Sequence, residues 1–91
     1  MAYTVRILPA AERQLERISV SDRQRLVQAI NDLASEPRPH GYKLLQGTGG
    51  SLRIRVGDWR IVYDVSDNPP EVTILRIGNR REVYKRRFRS R

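Results

Sequence analysis

Two hydrophobic periods alternate along this chain. From Tyr3 to Leu8 apolar and polar residues alternate with β-branched content, which predicts a short strand. Pro9 then stands where a first helical turn would begin, a position that tolerates its missing N–H. Ala11, Leu15 and Ile18 recur at helical spacing with Glu12, Arg13, Glu16 and Arg17 on the other faces, so a short amphipathic helix follows. Ser21 is a good N-cap for a second helix, and Gln24 three residues on completes a capping-box pattern. Leu26, Ala29 or Ile30, and Leu33 form its apolar stripe, and Pro37 and Pro39 stop it. The two helices are close enough in the chain to form a helical hairpin covering one face of a sheet.

Residues 36–50 hold Pro37, Pro39, Gly41, Gly47, Gly49 and Gly50 and form the least structured stretch. The period then returns to two. Leu52 to Val56 and Trp59 to Tyr63 alternate on either side of Gly57-Asp58, which suits a type II′ hairpin turn because glycine at its first central position adopts positive φ. Ser66-Asp67-Asn68-Pro69-Pro70 reads as a turn and Val72 to Ile77 as a further strand. From Asn79 the chain is compatible with a longer strand, a short helix or a frayed end. The expected architecture is α+β: one small domain over residues 1–91, in the order β-α-α-β-β-β. A helical hairpin packs on a small, mostly antiparallel twisted sheet, and a basic C-terminal tail follows.

The turn fixes which residues of the hairpin face each other. Val56 pairs with Trp59, Arg55 with Arg60, Ile54 with Ile61 and Arg53 with Val62. Leu52, Ile54, Val56, Trp59, Ile61 and Tyr63 then share one apolar side, while Arg53, Arg55 and Arg60 share the other. An exposed strand face is polar by default, so two arginines there are unremarkable alone. A third placed directly across from Arg55 concentrates charge where pairing unlike charges would be more stable. The arrangement makes sense if something anionic lies across it. Trp59 and Tyr63 fall on the apolar side and read as core rather than as stacking platforms.

Composition strengthens this picture. The chain has 91 residues, 38% hydrophobic and 31% charged, which fits one folded domain. Its formal charge is +8. Residues 1–50 carry seven basic and five acidic side chains, whereas residues 51–91 carry eleven and five. From Arg76 onward eight basic residues face only Glu82. Sixteen of the basic residues are arginine, whose planar fork matches phosphate, and two are lysine. The charge favours a polyanion, with nucleic acid ahead of an anionic membrane surface. With no cysteine, and with His40 alone among prolines and glycine, the chain lacks the residues for a zinc site or a His-based triad, and His40 reads as a loop residue. No metal or other cofactor is expected. The N-terminus lacks a signal-peptide core and no apolar run reaches membrane-spanning length, so the chain reads as cytoplasmic, without membrane partners. In the tail, Tyr84 is embedded in Arg80-Arg81-Glu82-Val83-Tyr84-Lys85-Arg86, an interleaving of aromatic and cation suited to stacking on an unpaired base.

The run Leu52-Arg53-Ile54-Arg55-Val56-Gly57-Asp58-Trp59-Arg60-Ile61-Val62-Tyr63, followed by Ile74-Leu75-Arg76-Ile77-Gly78-Asn79-Arg80-Arg81-Glu82-Val83-Tyr84, resembles the RelE branch of the RelE/ParE toxin superfamily over nearly the whole chain. The hairpin motif is shared across that superfamily, and the Gly-Asn-Arg-Arg-Glu-Val-Tyr ending is more specific to the RelE branch. The resemblance implies the toxin of a toxin–antitoxin system, an endoribonuclease that enters the ribosomal A site and cleaves the mRNA there without a metal. A ribose 2′-OH attacks the adjacent phosphate, leaving a 2′,3′-cyclic phosphate and a 5′-OH. Matched by position, the catalytic residues implied are Arg53, Arg55, Arg60, Arg80 and Tyr84. Arg81 competes with Arg80 for its role, and Arg81, Lys85, Arg86 and Arg87 are the expected RNA contacts. Well-studied members carry lysines at the positions of Arg53 and Arg55, one of them considered a general base. An arginine essentially never gives up its proton in a protein, so catalysis here is expected to be mostly electrostatic.

The resemblance also implies partners: a cognate antitoxin, typically an acidic or amphipathic segment wrapping the helices and the basic face; the ribosome and its mRNA; and operator DNA only through the antitoxin complex. Two other readings stand beside it. One is a ParE-like toxin that poisons DNA gyrase, a branch not expected to keep the basic constellation together with the terminal tyrosine. The other is a non-catalytic nucleic-acid-binding module, which predicts strong salt dependence and no cleavage.

Overall fold

The computed structural model describes residues 2–79. The elements run β1 (Thr4–Ile7), α1 (Pro9–Glu16), α2 (Val20–Asp32), β2 (Lys43–Leu44), β3 (Leu52–Val56), β4 (Trp59–Asp67) and β5 (Pro70–Asn79). They build a five-stranded sheet in the order β1-β5-β4-β3-β2, antiparallel except for the parallel pairing of β1 with β5. Both helices cover one face of it, α1 against β5 and α2 against β3. The expected α+β architecture is what forms, with one small strand added. Lys43 and Leu44, inside the stretch read as unstructured, pair with Arg53 and Leu52. Two residues among glycines and prolines carry no readable period.

The core is the meeting of the two periodicities. Ala11, Leu15 and Ile18 from α1 and its connector, and Leu26, Ile30 and Leu33 from α2, pack against Leu52, Ile54, Ile61, Tyr63, Val72, Ile74 and Ile77. Helix α1 begins at Pro9 as expected, but α2 begins at Val20 with Ser19 as its N-cap, not at Ser21. Neither a Ser19 nor a Ser21 side chain caps the helix among the bonds observed. The start is set by tertiary ties instead. Asp22 lies in the first turn, where a carboxylate is favoured by the helix dipole, and accepts from Trp59 Nε1 at 3.1 Å. Arg23 reaches back to donate to the Ile18 carbonyl at 2.9 Å.

The β3–β4 hairpin has the register its alternation predicts, from Arg53 with Val62 to Val56 with Trp59. Gly57 has φ 62°, and among the described residues no non-glycine has positive φ, which fits a type II′ turn and excludes type I′. Further along, Val62 pairs with Arg76 but Tyr63 pairs with Ile74, so Leu75 is an extra residue bulged out of β5. The bulge lets Val72, Ile74 and Ile77 all face the core although they do not share one alternation.

Two further ties hold the long connection after α2. The Tyr63 hydroxyl donates to the Pro37 carbonyl at 2.8 Å from a fully buried ring. Arg38 grips Asp67 through both carboxylate oxygens at 3.1 and 3.3 Å, and the Tyr3 hydroxyl donates to the same carboxylate at 2.7 Å. At the other edge, Gln14 accepts from the Ile77 amide at 2.7 Å where β5 extends beyond β1. Among the described residues no helix is long and apolar enough to cross a membrane.

Two predictions follow from this packing. A Cβ at Gly57 would meet Arg25 Nη2 at 3.1 Å, which that flexible side chain can relieve, but the positive φ remains. Gly57→Ala is therefore expected to lower unfolding free energy by about 1 kcal/mol or more in urea denaturation, and an unchanged midpoint would contradict the turn. Burial pushes the Tyr63 phenol up to about 12 from its ordinary value near 10. The fold favours its neutral form, so this contribution is intact below about pH 10 and lost as pH rises toward about 12. Tyr63→Phe is expected to cost about 1 kcal/mol at pH 7 through the lost bond to Pro37, with the gap to wild type narrowing above pH 10. Tyr3, also raised by its bond to Asp67, keeps an alkaline dependence of its own in that variant.

Candidate functional site

The helix-free side of the sheet gathers the cations. Strand alternation places Arg53 and Arg55 of β3 and Arg60 of β4 there, with Arg55 directly across from Arg60. Arg55 is exposed and Arg53 half-buried. Arg60 differs from the sequence expectation of a solvent-facing charge, because only 5% of it is exposed. Its Nε and Nη1 are buried with no hydrogen-bond partner among the described residues. On its other side Arg60 pairs with Gly78, which has no side chain, so the row reads Arg55, Arg60, glycine. One strand pleat away a second row reads Lys43, Arg53, Val62, Arg76. Val62, fully buried yet outside the helix-side core, is the apolar centre of this face.

The face is electrostatically one-sided. The ion pairs among the described residues are Arg6 with Glu71, Arg25 with Asp22 and Arg38 with Asp67, and none involves Arg55, Arg60 or Arg76. Asp64 shares the side but accepts from Ser51 Oγ at 2.6 Å. A buried guanidinium with unmet donors is costly to fold and offers a strong, preoriented contact to an entering oxyanion. Phosphate geometry fits the fork of an arginine well.

Trp59 and Tyr63 belong to the helix side, as their alternation predicts, and each ring's polar atom is engaged there. His40 lies in the loop after α2. It lines a groove of about 560 Å³ whose floor is Ala29, Leu33, Ile54 and Val56 and whose rim carries Asp32, Glu36, Lys43, Arg53 and Arg55. The groove forms because β2 covers only the first two residues of β3, leaving the rest of that edge without a neighbouring strand. Among the described residues no cluster of three or more His, Cys, Asp or Glu side chains could hold a metal ion. Arg80, Arg81, Tyr84, Lys85, Arg86 and Arg87 lie outside the described residues.

Arg76 joins this face against the simple reading of its strand. It shares the odd-even alternation of Val72 and Ile74, which would point it into the core. The bulge at Leu75 turns it over. The readable signal was the parity change between Ile74 and Ile77, both apolar but three residues apart.

The chain matches, over residues 5–84, the family model described as ParE toxin of type II toxin–antitoxin system, parDE. It is 33% identical over 87 residues to Toxin RelG of Mycobacterium tuberculosis, covering 94% of this chain and all of that protein. In three dimensions it resembles a chain of the archaeal RelE–RelB complex from Pyrococcus horikoshii OT3, with TM-score 0.78 and 28% identity over 89% of this chain and 98% of the other. A chain of the toxin–antitoxin complex RelBE2 of M. tuberculosis matches with TM-score 0.77 and 30% identity over 88% of this chain and all of the other. The family description carries the ParE name while these relatives carry RelE names, and both belong to one superfamily. The cationic sheet face thus sits on a known toxin scaffold: this chain belongs to the ParE toxin family of type II toxin–antitoxin systems and is a RelE-like member of the RelE/ParE superfamily.

Proposed function

We propose that this toxin is a ribosome-dependent endoribonuclease that cleaves mRNA in the A site by attack of a ribose 2′-OH on the adjacent phosphate. The observation that carries the reading is Arg60, a residue only 5% exposed whose Nε and Nη1 have no hydrogen-bond partner among the described residues, facing Arg55 across the hairpin. A scissile phosphate supplies the missing acceptors. In the reaction the 2′-oxygen bonds to phosphorus, the bond to the 5′-oxygen breaks, and one proton passes in net from the 2′-oxygen to the 5′-oxygen. No water or cofactor is consumed. Arg60 and Arg80 hold the phosphate, Arg53 and Arg55 offset the charge that builds on the phosphorane-like transition state, and Tyr84 stacks on the base or orients the 2′-OH. None of the arginines carries the proton, because arginine remains charged throughout.

A gyrase-directed mode of action is the second reading, favoured by the ParE description of the matching family. The concentration of arginine on one face supports the nuclease over it. The same face supports inhibition by a cognate antitoxin, since the related RelE and RelBE2 chains occur in complexes with antitoxins. An amphipathic, acidic segment seated in the groove beside β3 would cover Arg53 and Arg55 and keep RNA away. Operator DNA would be bound mainly through that partner, and the toxin would act in the cytoplasm with the ribosomes.

The test couples stability to cleavage. Arg60→Met keeps the bulk but removes a buried charge, so it is expected to raise unfolding free energy by about 1 kcal/mol or more while slowing single-turnover cleavage on programmed ribosomes about hundredfold. Cleavage within about threefold of wild type would remove Arg60 from the site. Absence of any wild-type cut in the A-site codon, together with gyrase inhibition, would replace the nuclease by the gyrase reading.

A further inference from the structure

We propose a second phosphate subsite on the cationic face, centred on Arg76, that holds the phosphodiester next to the scissile one. The inference deepens the nuclease reading and rests on it. The geometry comes from the sheet register. Arg55 and Arg60 make one row across the strands, and Lys43, Arg53, Val62 and Arg76 make the next. Two residues along a strand separate the rows, roughly 6.8 Å, close to the phosphate-to-phosphate step of an extended ribonucleotide chain. An RNA backbone running along β3 and β4 therefore meets cations at successive phosphates, one phosphate per row.

Three observations make Arg76 more than a solvated surface charge. Its side of the strand is not the default, because only the bulge at Leu75 places it with the other cations. It is half-buried and makes no ion pair or hydrogen bond among the described residues, whereas Arg6, Arg25 and Arg38 each have an acidic partner. Its cross-strand neighbour on β4 is Val62, a fully buried apolar residue that offers it no side-chain acceptor. Arg76 thus stands beside an apolar position on the face that carries Arg60. Arg60, one row away, keeps the reacting phosphate; Arg76 is a positioning residue that fixes the strand's register over it.

The test is a cycle between protein and RNA. Programmed ribosomes carry mRNA with a neutral methylphosphonate at the linkage on one or the other side of the scissile one in the A-site codon. On unmodified mRNA, Arg76→Gln is expected to raise KM about tenfold with kcat little changed, and Arg76→Lys is expected to recover part of the loss. Arg13→Gln, on the exposed side of α1, serves as the control for net charge. With the methylphosphonate at one of the two linkages, wild type is expected to fall to the level of Arg76→Gln, and the variant to lose nothing more. Binding of a non-cleavable 2′-O-methyl RNA is expected to lose about 0.7 from its log–log salt slope in the variant. If wild type cleaves and both methylphosphonates affect Arg76→Gln as much as wild type, the subsite is refuted and the nuclease reading stands. If wild type does not cleave at all, the nuclease reading fails and the subsite with it.

Discussion

The cross-strand register of the β3–β4 hairpin governs the rest of this molecule. Strand side chains alternate with a period of two, so a slip of one residue would exchange Leu52, Ile54, Ile61 and Tyr63 for Arg53, Arg55 and Arg60. Each of those apolar groups gains about 1.5–3 kcal/mol from burial. Facing Arg55 with Arg60 costs a fraction of 1 kcal/mol to about 1 kcal/mol. Burial wins by a wide margin. The helices hold the apolar side, and the arginines are carried to the opposite side as a consequence, not by any attraction among themselves.

This division separates folding from function. The helix side holds the closely packed side chains and the anchoring bonds of Trp59 and Tyr63. The other side holds charges that contribute little to folding and, at Arg60, oppose it. A sheet of five strands tolerates that because its hydrogen-bond ladder and covered face already fix the backbone. Arginine suits the arrangement better than lysine would, since its planar fork keeps direction when partly desolvated.

Much of this was legible in the sequence because independent signals agreed. Gly57-Asp58 marked the turn, and alternation on both sides of it marked the faces, so the pairing from Arg53–Val62 to Val56–Trp59 was readable in full. The helix stripes were readable for the same reason. The start of α2 was not, because Ser21 and Gln24 match a capping pattern that the chain leaves unused in favour of Asp22's ties to Trp59 and Arg25. β2 escaped because two residues show no period. The burial of Arg60 escaped because alternation tells which face a side chain takes and says nothing of how deeply it lies. The expected site residues beyond Asn79 rest on the family resemblance.

The bulge at Leu75 has a consequence for how relatives of this chain can diverge. At most surface positions a one-residue deletion shortens a loop. Here deletion of Leu75 would remove the extra residue and leave a regular alternation, with Ile74 and Ile77 still on the core side and Arg76 and Gly78 still on the other. The strand can therefore gain or lose this one residue without exchanging its faces. A single-residue gap at this point in a related sequence would mark a straightened strand that offers a partner the same side chains.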